Sequence, residues 1–413
     1  MQARSRFWLV ALCALFPLSI QAESRTPLLS EVLEIMAREY VNPLRLEPNA
    51  LEARIRTGVE AKCSSGCDSD QSERAIASSL NSVGDVHLKL LPAAIRPGDD
   101  PGEVGEGGHA ARFGIRTVST KDRLLVSSVQ ADSSAASANL EFGDRIVRVN
   151  NDESPDAMTL VLARAEVERK AVTVTLLNQQ GQRRTVSLAP ISRPWNASLE
   201  LRDDGIAVLR LPSVSASNED DSAVHRLVRQ AMQSGARAMI LDLRDTQGGT
   251  PFATANAAGA FLEQVAITLV SKAGVRWNYT FQNGDARLER SDQPTTPETD
   301  RLEPPALWSG PLVVLVSKRT VSAGENLALL LQRTGRALVI GEVTAGGAGV
   351  GANLFKLSSN ANLLLATHLH LSPDGRRYPI RITPDQLEAT DLEALSRGQD
   401  NVLDAASKLL QLK

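Results

Sequence analysis

The spacing of apolar residues changes character three times along the chain. Over residues 26–95 it is helical: Leu28, Val32, Ile35 and Met36 recur on one face, and further amphipathic pieces cover 48–62 and 70–83. That stretch ends in Val83-Gly84-Asp85-Val86-His87-Leu88-Lys89-Leu90-Leu91-Pro92. From Ala110 to about Pro190 the pattern predicts short strands at 113–118, 124–129, 145–149, 172–177 and 185–188, with helical pieces near 133–139 and 156–168. From 198 to 390 buried-strand runs alternate with helices. Strands are predicted at 205–211, 238–243, 265–270, 312–316 and 337–340, and helices at 218–234 and 251–264 and after residue 325. Such alternation predicts an α/β layered core. Residues 96–109, rich in Gly, Pro and acids, read as a linker, and 284–305, rich in Asp, Pro, Thr and Arg, as an exposed excursion. The chain from Leu387 is again helical. The expected plan is an α/β multi-domain protein with a helical segment over 23–95, a small β-rich domain over 110–190 and an α/β core over 191–413.

The first 22 residues stand outside that plan. Arg4 and Arg6 precede an apolar run from Phe7 to Ile20, and Gln21-Ala22 offers a small-residue cleavage site. This predicts a secretory signal, too short for a comfortable membrane span. Cys13 follows Leu12, a poor match to a lipoprotein signal. No later segment reaches about 18 consecutive apolar residues. An exported protein without a membrane span in its mature chain is therefore expected, periplasmic or secreted. Removing the segment takes away two arginines and no acid, so the formal charge of −3 becomes −5. An acidic chain without basic runs is not a nucleic-acid binder by charge. Aromatics make up 4% of the residues, so aliphatic cores are expected and stacking platforms for bases or sugars are not.

Two cysteines remain beyond the signal, Cys63 and Cys67. In an oxidising compartment their spacing predicts a small disulfide loop. No further Cys or His lies near enough in sequence for a metal site.

The chemistry centres on Thr320-Val321-Ser322-Ala323-Gly324-Glu325. Ser322 follows the buried-strand run 312–316 and precedes an apolar helix. A serine at a strand-to-helix turn is presented at the sheet edge, where its hydroxyl can attack and the next backbone N–H can hold an oxyanion. The same spacing also suits a plain helix N-cap.

The whole arrangement resembles the tail-specific (carboxyl-terminal processing) serine proteases, which implies a ClpP/crotonase-like peptidase core. Phe113-Gly114-Ile115, with the run from Ser133 to Asn150, resembles a PDZ domain. The resemblance implies that the loop bares N–H groups for a peptide's terminal carboxylate and that the next strand pairs with the peptide. Leu241-Asp242-Leu243-Arg244-Asp245-Thr246-Gln247-Gly248-Gly249 resembles the family's Gly-Gly turn. This implies oxyanion N–H groups from Gly248 or Gly249 and from Ala323. Gly341-Glu342-Val343-Thr344-Ala345-Gly346-Gly347-Ala348 matches the loop that carries the general-base lysine in Ser-Lys members. Here Gly347 stands at that position, and the next lysine is Lys356.

A serine without an adjacent base is a poor nucleophile. The Thr-Ala-Gly-Gly-Ala form resembles a second branch, that of the interphotoreceptor retinoid-binding protein repeats and the tricorn core protease, in which a histidine before the PDZ domain serves. Gly84-Asp85-Val86-His87-Leu88 resembles that branch's motif, which makes His87 the candidate base. The group that orients it is left open: Asp85 is close in sequence, and the acidic position of that branch aligns with Tyr378. His368 and His370 fall on one face of a strand and could reach the site or, with a third ligand, a metal. His109 and His225 are read as ordinary, the latter on an exposed helix face.

The expectation is an exported serine endopeptidase, without metal or cofactor, that recognises the C-terminal tails of peptides or proteins. The alternative is a catalytically inactive peptide-binding scaffold of the same fold. An acyl-CoA enzyme of the crotonase type is disfavoured by the export signal and the PDZ pattern.

Overall fold

The computed structural model describes residues 27–64, 66–91, 111–191, 196–214, 220–302 and 304–411. The expected signal segment 1–22, the expected linker 96–109 and His109 lie outside them.

Three helices come first: α1 (Pro27–Glu39), α2 (Pro48–Cys63) and α3 (Ser69–Asn81). A capping box starts α3, in which Gln71 N–H donates to Asp68 (2.7 Å) and Asp68 N–H donates to Gln71 (3.0 Å). Cys63 and Cys67 are bonded to each other at the end of α2. A short strand, β1 (Lys89–Leu91), follows.

The second region contains β2 (Ile115–Ser119), β3 (Leu124–Val129), α4 (Ser134–Ser137), β4 (Arg145–Val149), α5 (Pro155–Glu168), β5 (Val172–Leu177) and β6 (Arg183–Leu188). Its strands form one antiparallel sheet in chain order, with β2 at an edge. Met158, Leu162 and Ala165 of α5 close its core over Phe113, Ile115 and Ile146.

The third region contains β7 (Ser198–Leu201), β8 (Ile206–Arg210), α6 (Asp220–Gln233), β9 (Ala238–Asp242), α7 (Pro251–Gly259), β10 (Gln264–Ser271), β11 (Arg276–Gln282), β12 (Asp285–Arg290), β13 (Gln293–Arg301), β14 (Leu312–Val316), α8 (Ala323–Arg333), β15 (Leu338–Gly341), β16 (Val350–Lys356), β17 (Asn362–Leu371), β18 (Gln386–Leu387), α9 (Leu392–Ser396) and α10 (Asn401–Gln411). One sheet runs β18-β15-β14-β9-β8-β7, parallel except for β7. Alternation along each strand feeds both of its faces. Val313 and Leu315 turn toward Val402, Ala406 and Leu410 of α10. Leu312, Val314 and Val316 turn toward α6, α7 and α8.

The other sheet, β1-β17-β10-β11-β12-β13 with β16 beside β17, lies across those helices. Its β16–β17 part packs Val350, Leu363 and Leu365 against α1–α3. The N-terminal helices therefore share a core with the third region, and the pairing of Lys89 with Leu364 pins the chain just after His87.

Residues 284–305 depart from the sequence reading. They form β12 and β13 rather than an excursion. Period-2 patterning is masked there by Pro294 and Pro297, which β13 accommodates as the outermost strand, where a missing N–H breaks no ladder. The helix expected over 251–264 stops at Gly259, because β10 begins at Gln264.

Candidate active site

Ser322 stands between the end of β14 and the start of α8, half-buried and reachable. Its backbone has φ 56° and ψ −114°, a conformation that L-residues hold at a cost of about 1–3 kcal/mol. That geometry belongs to an elbow that pushes a side chain outward. The elbow is fixed by its neighbours. Ser322 N–H donates to Glu325 Oε2 at 2.9 Å, Val321 N–H to the Thr246 carbonyl at 3.1 Å, and Thr320 Oγ1 to the Leu243 carbonyl at 2.7 Å.

The Gly-Gly turn abuts this elbow. A Cβ on Gly324 would come 2.8 Å from Thr246 Cγ2, so the helix start rests directly on the residue two before Gly248. Val214 N–H donates to the Gly248 carbonyl and Thr250 N–H donates to the Val214 carbonyl. The N–H groups of Gly248 and Gly249 are in neither bond. Gly249 has φ 153°, and a Cβ there would stand 1.5 Å from the Val214 oxygen, so only glycine fits. Behind the turn Arg244 grips Asp242 and Asp400 with paired bonds of 2.7–2.9 Å. Burial opposes ionisation of Asp242, but Arg244 outweighs it and holds the carboxyl below its ordinary range.

Loop 344–349 closes the site, and Glu325 organises it. This fully buried carboxylate accepts from Gly346 N–H (3.0 Å) and the Thr344 hydroxyl on Oε1, and from Gly347 N–H (2.6 Å) and Ser322 N–H on Oε2. Burial still dominates and pushes its pKa up to about 7, against those four donors. In the sequence nothing but its place after Ser322 marks Glu325 out. The Ser-x-x-Glu spacing of a capping box was the available signal.

His87 reaches this loop from the other side of the chain. The point where a Cβ on Gly347 would stand lies 2.7 Å from His87 Cε1 and 3.1 Å from Glu325 Oε2. The imidazole thus fills the space that a side chain at position 347 would otherwise enter. His87 is 5% exposed, its Nδ1 is buried with no hydrogen-bond partner, and burial lowers its pKa from the ordinary imidazole value, so the ring is neutral at pH 7. Asp85 holds the backbone rather than the ring: its Oδ1 accepts His87 N–H at 2.9 Å and its Oδ2 accepts the Tyr40 hydroxyl at 2.7 Å.

The remaining histidines are placed elsewhere. His368 packs edge-on against Trp277 and His370 against Tyr378. Burial pushes the pKa of His370 down to about 4. Among the described residues no group of three His, Cys, Asp or Glu is placed to hold a metal. His225 is a correction: it is 1% exposed, accepts Ala306 N–H on Nδ1 and contacts the Asn256 carbonyl through Nε2. The amphipathic pattern of α6 left it next to the apolar face, and these two backbone partners make its burial tolerable.

In the second region Phe113 and Ile115 are buried core residues, and Gly114, at φ 81°, lies against Ser133. The N–H just before them, that of Arg112, donates to Glu166 of α5 at 2.6 Å. A cavity of about 770 Å³ separates β2 and β3 from the core. Its lining includes Arg116, Arg244, Asp245 and Arg319.

The comparisons agree with this geometry. Residues 205–387 match Peptidase family S41 and residues 106–178 match the PDZ domain. The chain thus carries a segment of Peptidase family S41 behind a PDZ domain, and the curated relatives it resembles are named carboxyl-terminal-processing proteases or peptidases. It is similar to the carboxyl-terminal-processing protease of Synechocystis, 28% identical over 281 residues, which cover 64% of this chain and 59% of that relative. It is also similar to the carboxyl-terminal-processing protease of Picosynechococcus, 26% identical over 315 residues, 74% of this chain and 69% of that protein. The chain thus spans less than two thirds of the Synechocystis relative's length. In fold it is similar to a putative S41 protease from Bacteroides fragilis, with a TM-score of 0.55 and 16% identity, covering 92% of this chain and 97% of that one.

Proposed function

We propose that this protein is an exported serine endopeptidase whose PDZ domain holds the C-terminal tails of its substrates. The observation that carries this reading is the buried imidazole of His87, its Nδ1 without a hydrogen-bond partner, set against Gly347 and Glu325, one loop away from the Ser322 elbow. Ser322 Oγ attacks the scissile carbonyl as its proton passes to neutral His87. The N–H groups of Ala323 and of Gly248 or Gly249 receive the oxyanion, each such donor contributing about 2.7–4 kcal/mol in the transition state. The imidazolium returns the proton to the leaving amine as the C–N bond breaks, and water, deprotonated by the same ring, releases the acyl group. Glu325 positions both the elbow and the loop beside the base.

Export is supported by the basic-then-apolar pattern of residues 1–22 and by the bonded pair Cys63–Cys67. No helix of the described residues is long and apolar enough to cross a membrane. Tail recognition is supported by the relatives' names and by β2, an edge strand open to β-augmentation. The proposed division assigns 23–95 to the segment that delivers the base, 110–190 to the PDZ domain and 191–413 to the peptidase core.

The test is cleavage of an unstructured tail peptide. Ser322→Ala is expected to lose about 10⁴-fold or more in kcat while keeping its fold, and a fluorophosphonate is expected to label wild-type Ser322. Undiminished cleavage by Ser322→Ala overturns the assignment. A wild-type protein that binds tails but takes no fluorophosphonate label is instead a peptide-binding scaffold.

A further inference from the structure

A carboxylate from α5 already occupies the backbone N–H at the start of the Phe113-Gly114-Ile115 loop. Glu166, near the C-terminal end of α5, accepts the N–H of Arg112 at 2.6 Å, immediately before Phe113-Gly114-Ile115. The helix cannot drift from the loop, because Met158, Leu162 and Ala165 share one core with Phe113 and Ile115. Loop and helix are thus held at a fixed distance, with the glutamate between them. An arriving α-carboxylate needs the same kind of donor, and two anions competing for adjacent N–H groups in a half-buried pocket repel each other.

We propose that Glu166 is a built-in competitor for the substrate tail: it holds the Arg112 N–H while the groove is empty and must yield that donor, or its charge, before a free C-terminal carboxylate can seat. This inference rests on the tail-recognition reading above and refines it, since it makes Glu166 the residue that sets how strongly this PDZ domain prefers a free carboxylate over an uncharged chain end. The charged groups that face Glu166 are Arg112 on the loop and Arg116 on β2. Arg116 is 5% exposed and is attracted by Asp245 of the core as well as by Glu166, while Arg319 repels it. Burial pushes the Glu166 carboxyl up to about 7, and the Arg112 N–H and Arg116 only partly offset that. The competitor is thus half neutralised near neutral pH. A tail that seats only when Glu166 is protonated takes up about half a proton on binding near pH 7 and nearly one at pH 8.

The experiment uses the full chain carrying Ser322→Ala, so that bound peptide is not consumed. Fluorescence anisotropy compares an apolar-tailed peptide with a free C-terminal carboxylate against the same peptide as its amide. With Glu166 intact, affinity for the free acid is expected to rise about tenfold from pH 8 to pH 6, the change in the protonated fraction of a group titrating near 7, while the amide responds little. Glu166→Gln keeps an acceptor for Arg112 N–H but removes the charge. It is expected to bind the free acid about tenfold more tightly at pH 8 and to lose the pH response. Glu166→Ala, which frees the donor as well, is expected to bind at least as tightly as Glu166→Gln.

Free-acid affinity that is flat or falls toward pH 6 with Glu166 intact overturns the proposal, and this arm depends on no substitution at residue 166. So does unchanged or weakened free-acid binding in both Glu166 variants. If neither peptide binds any form of the protein, the tail-recognition reading itself fails. If both bind but are indifferent to pH and to residue 166, only the competitor fails.

Discussion

Two buried carboxylates, Glu325 in the peptidase core and Glu166 in the PDZ domain, are pushed by burial to the same region near pH 7, yet they are held in opposite ways. Glu325 is saturated. Four donors from two separate stretches of chain, the Ser322 elbow and the loop 344–349, converge on its two oxygens, and it is fully buried. Glu166 is held by a single backbone N–H and keeps some contact with solvent. A saturated carboxylate is an organiser: nothing can replace it without leaving several donors unpaired. A carboxylate with one donor can be displaced, since the only bond it gives up is one that another carboxylate can take over. A similar pKa therefore says little about role, and the donor count says much more.

The largest effect that would break this contrast is at Glu325. Glu325→Gln keeps the shape but turns one oxygen into an N–H₂ group that must face either the Gly346 N–H and the Thr344 hydroxyl or the N–H groups of Gly347 and Ser322. Leaving buried donors unsatisfied costs about 1–3 kcal/mol each, so a loss of about 2–5 kcal/mol in unfolding free energy is expected. Peptide cleavage is expected to fall at least 100-fold, because the loop beside His87 and the Ser322 N–H lose their common anchor. Urea unfolding gives the first number and the rate of fluorophosphonate labelling the second. A variant with wild-type labelling and stability would mean that Glu325 is no organiser.

Gly347 comes next. Any Cβ there meets His87, Val86 and Glu325 at 2.7, 3.0 and 3.1 Å, so Gly347→Ala is expected to push the imidazole aside and lower kcat about 10–100-fold, part of the roughly 10²–10⁴-fold that a well-placed general base supplies. Stability should change by about 1–3 kcal/mol, as for other overpacked sites. Combining Gly347→Ala with His87→Ala should restore the lost stability but not the activity. If the single variant cleaves at the wild-type rate, the space beside Gly347 is not the working position of the base.

Much of this was legible in the sequence, and the reasons differ from residue to residue. The Ser322 elbow and the Gly248-Gly249 turn announce themselves because strand, turn and helix signals are local and because a glycine at φ 153° against Val214 has no substitute. The gap at Gly347 is equally readable, since it is one position in one loop. What fills it is not. His87 lies about 260 residues away in sequence, and only its motif pointed to it. Its approach depends on β1 pairing with β17, a long-range contact that no local pattern encodes. Glu325 was in view but silent, because Ser-x-x-Glu reads equally well as an ordinary capping box. His225 and the β12–β13 hairpin were misread for the opposite reason: local composition looked exposed, and tertiary partners decided otherwise.

The smallest expected effect is in the pH dependence of stability, and it separates the two glutamates most finely. A carboxyl whose folded pKa lies near 7 and whose unfolded pKa is about 4.5 binds more protons in the folded state between those values. Folding is then favoured at the acid end of that window, and stability is lost as pH rises from about 4.5 to 7. For Glu325, which has no solvent contact, the loss approaches about 3 kcal/mol. For Glu166, partly solvated, it is smaller by about half or more after allowance for screening. Between pH 5 and pH 8 the two glutamates should therefore pull the unfolding free energy down, against the rise contributed by His87, His368 and His370, whose pKa values burial lowers, and the substitutions are read as differences from the wild-type profile. The downward pull should be distinctly weaker in Glu325→Gln, whatever that variant's overall stability, and only slightly weaker in Glu166→Gln. Equal flattening by the two substitutions would mean that the PDZ carboxylate is as deeply committed as the catalytic-loop one, and the distinction between organiser and competitor would have to be given up.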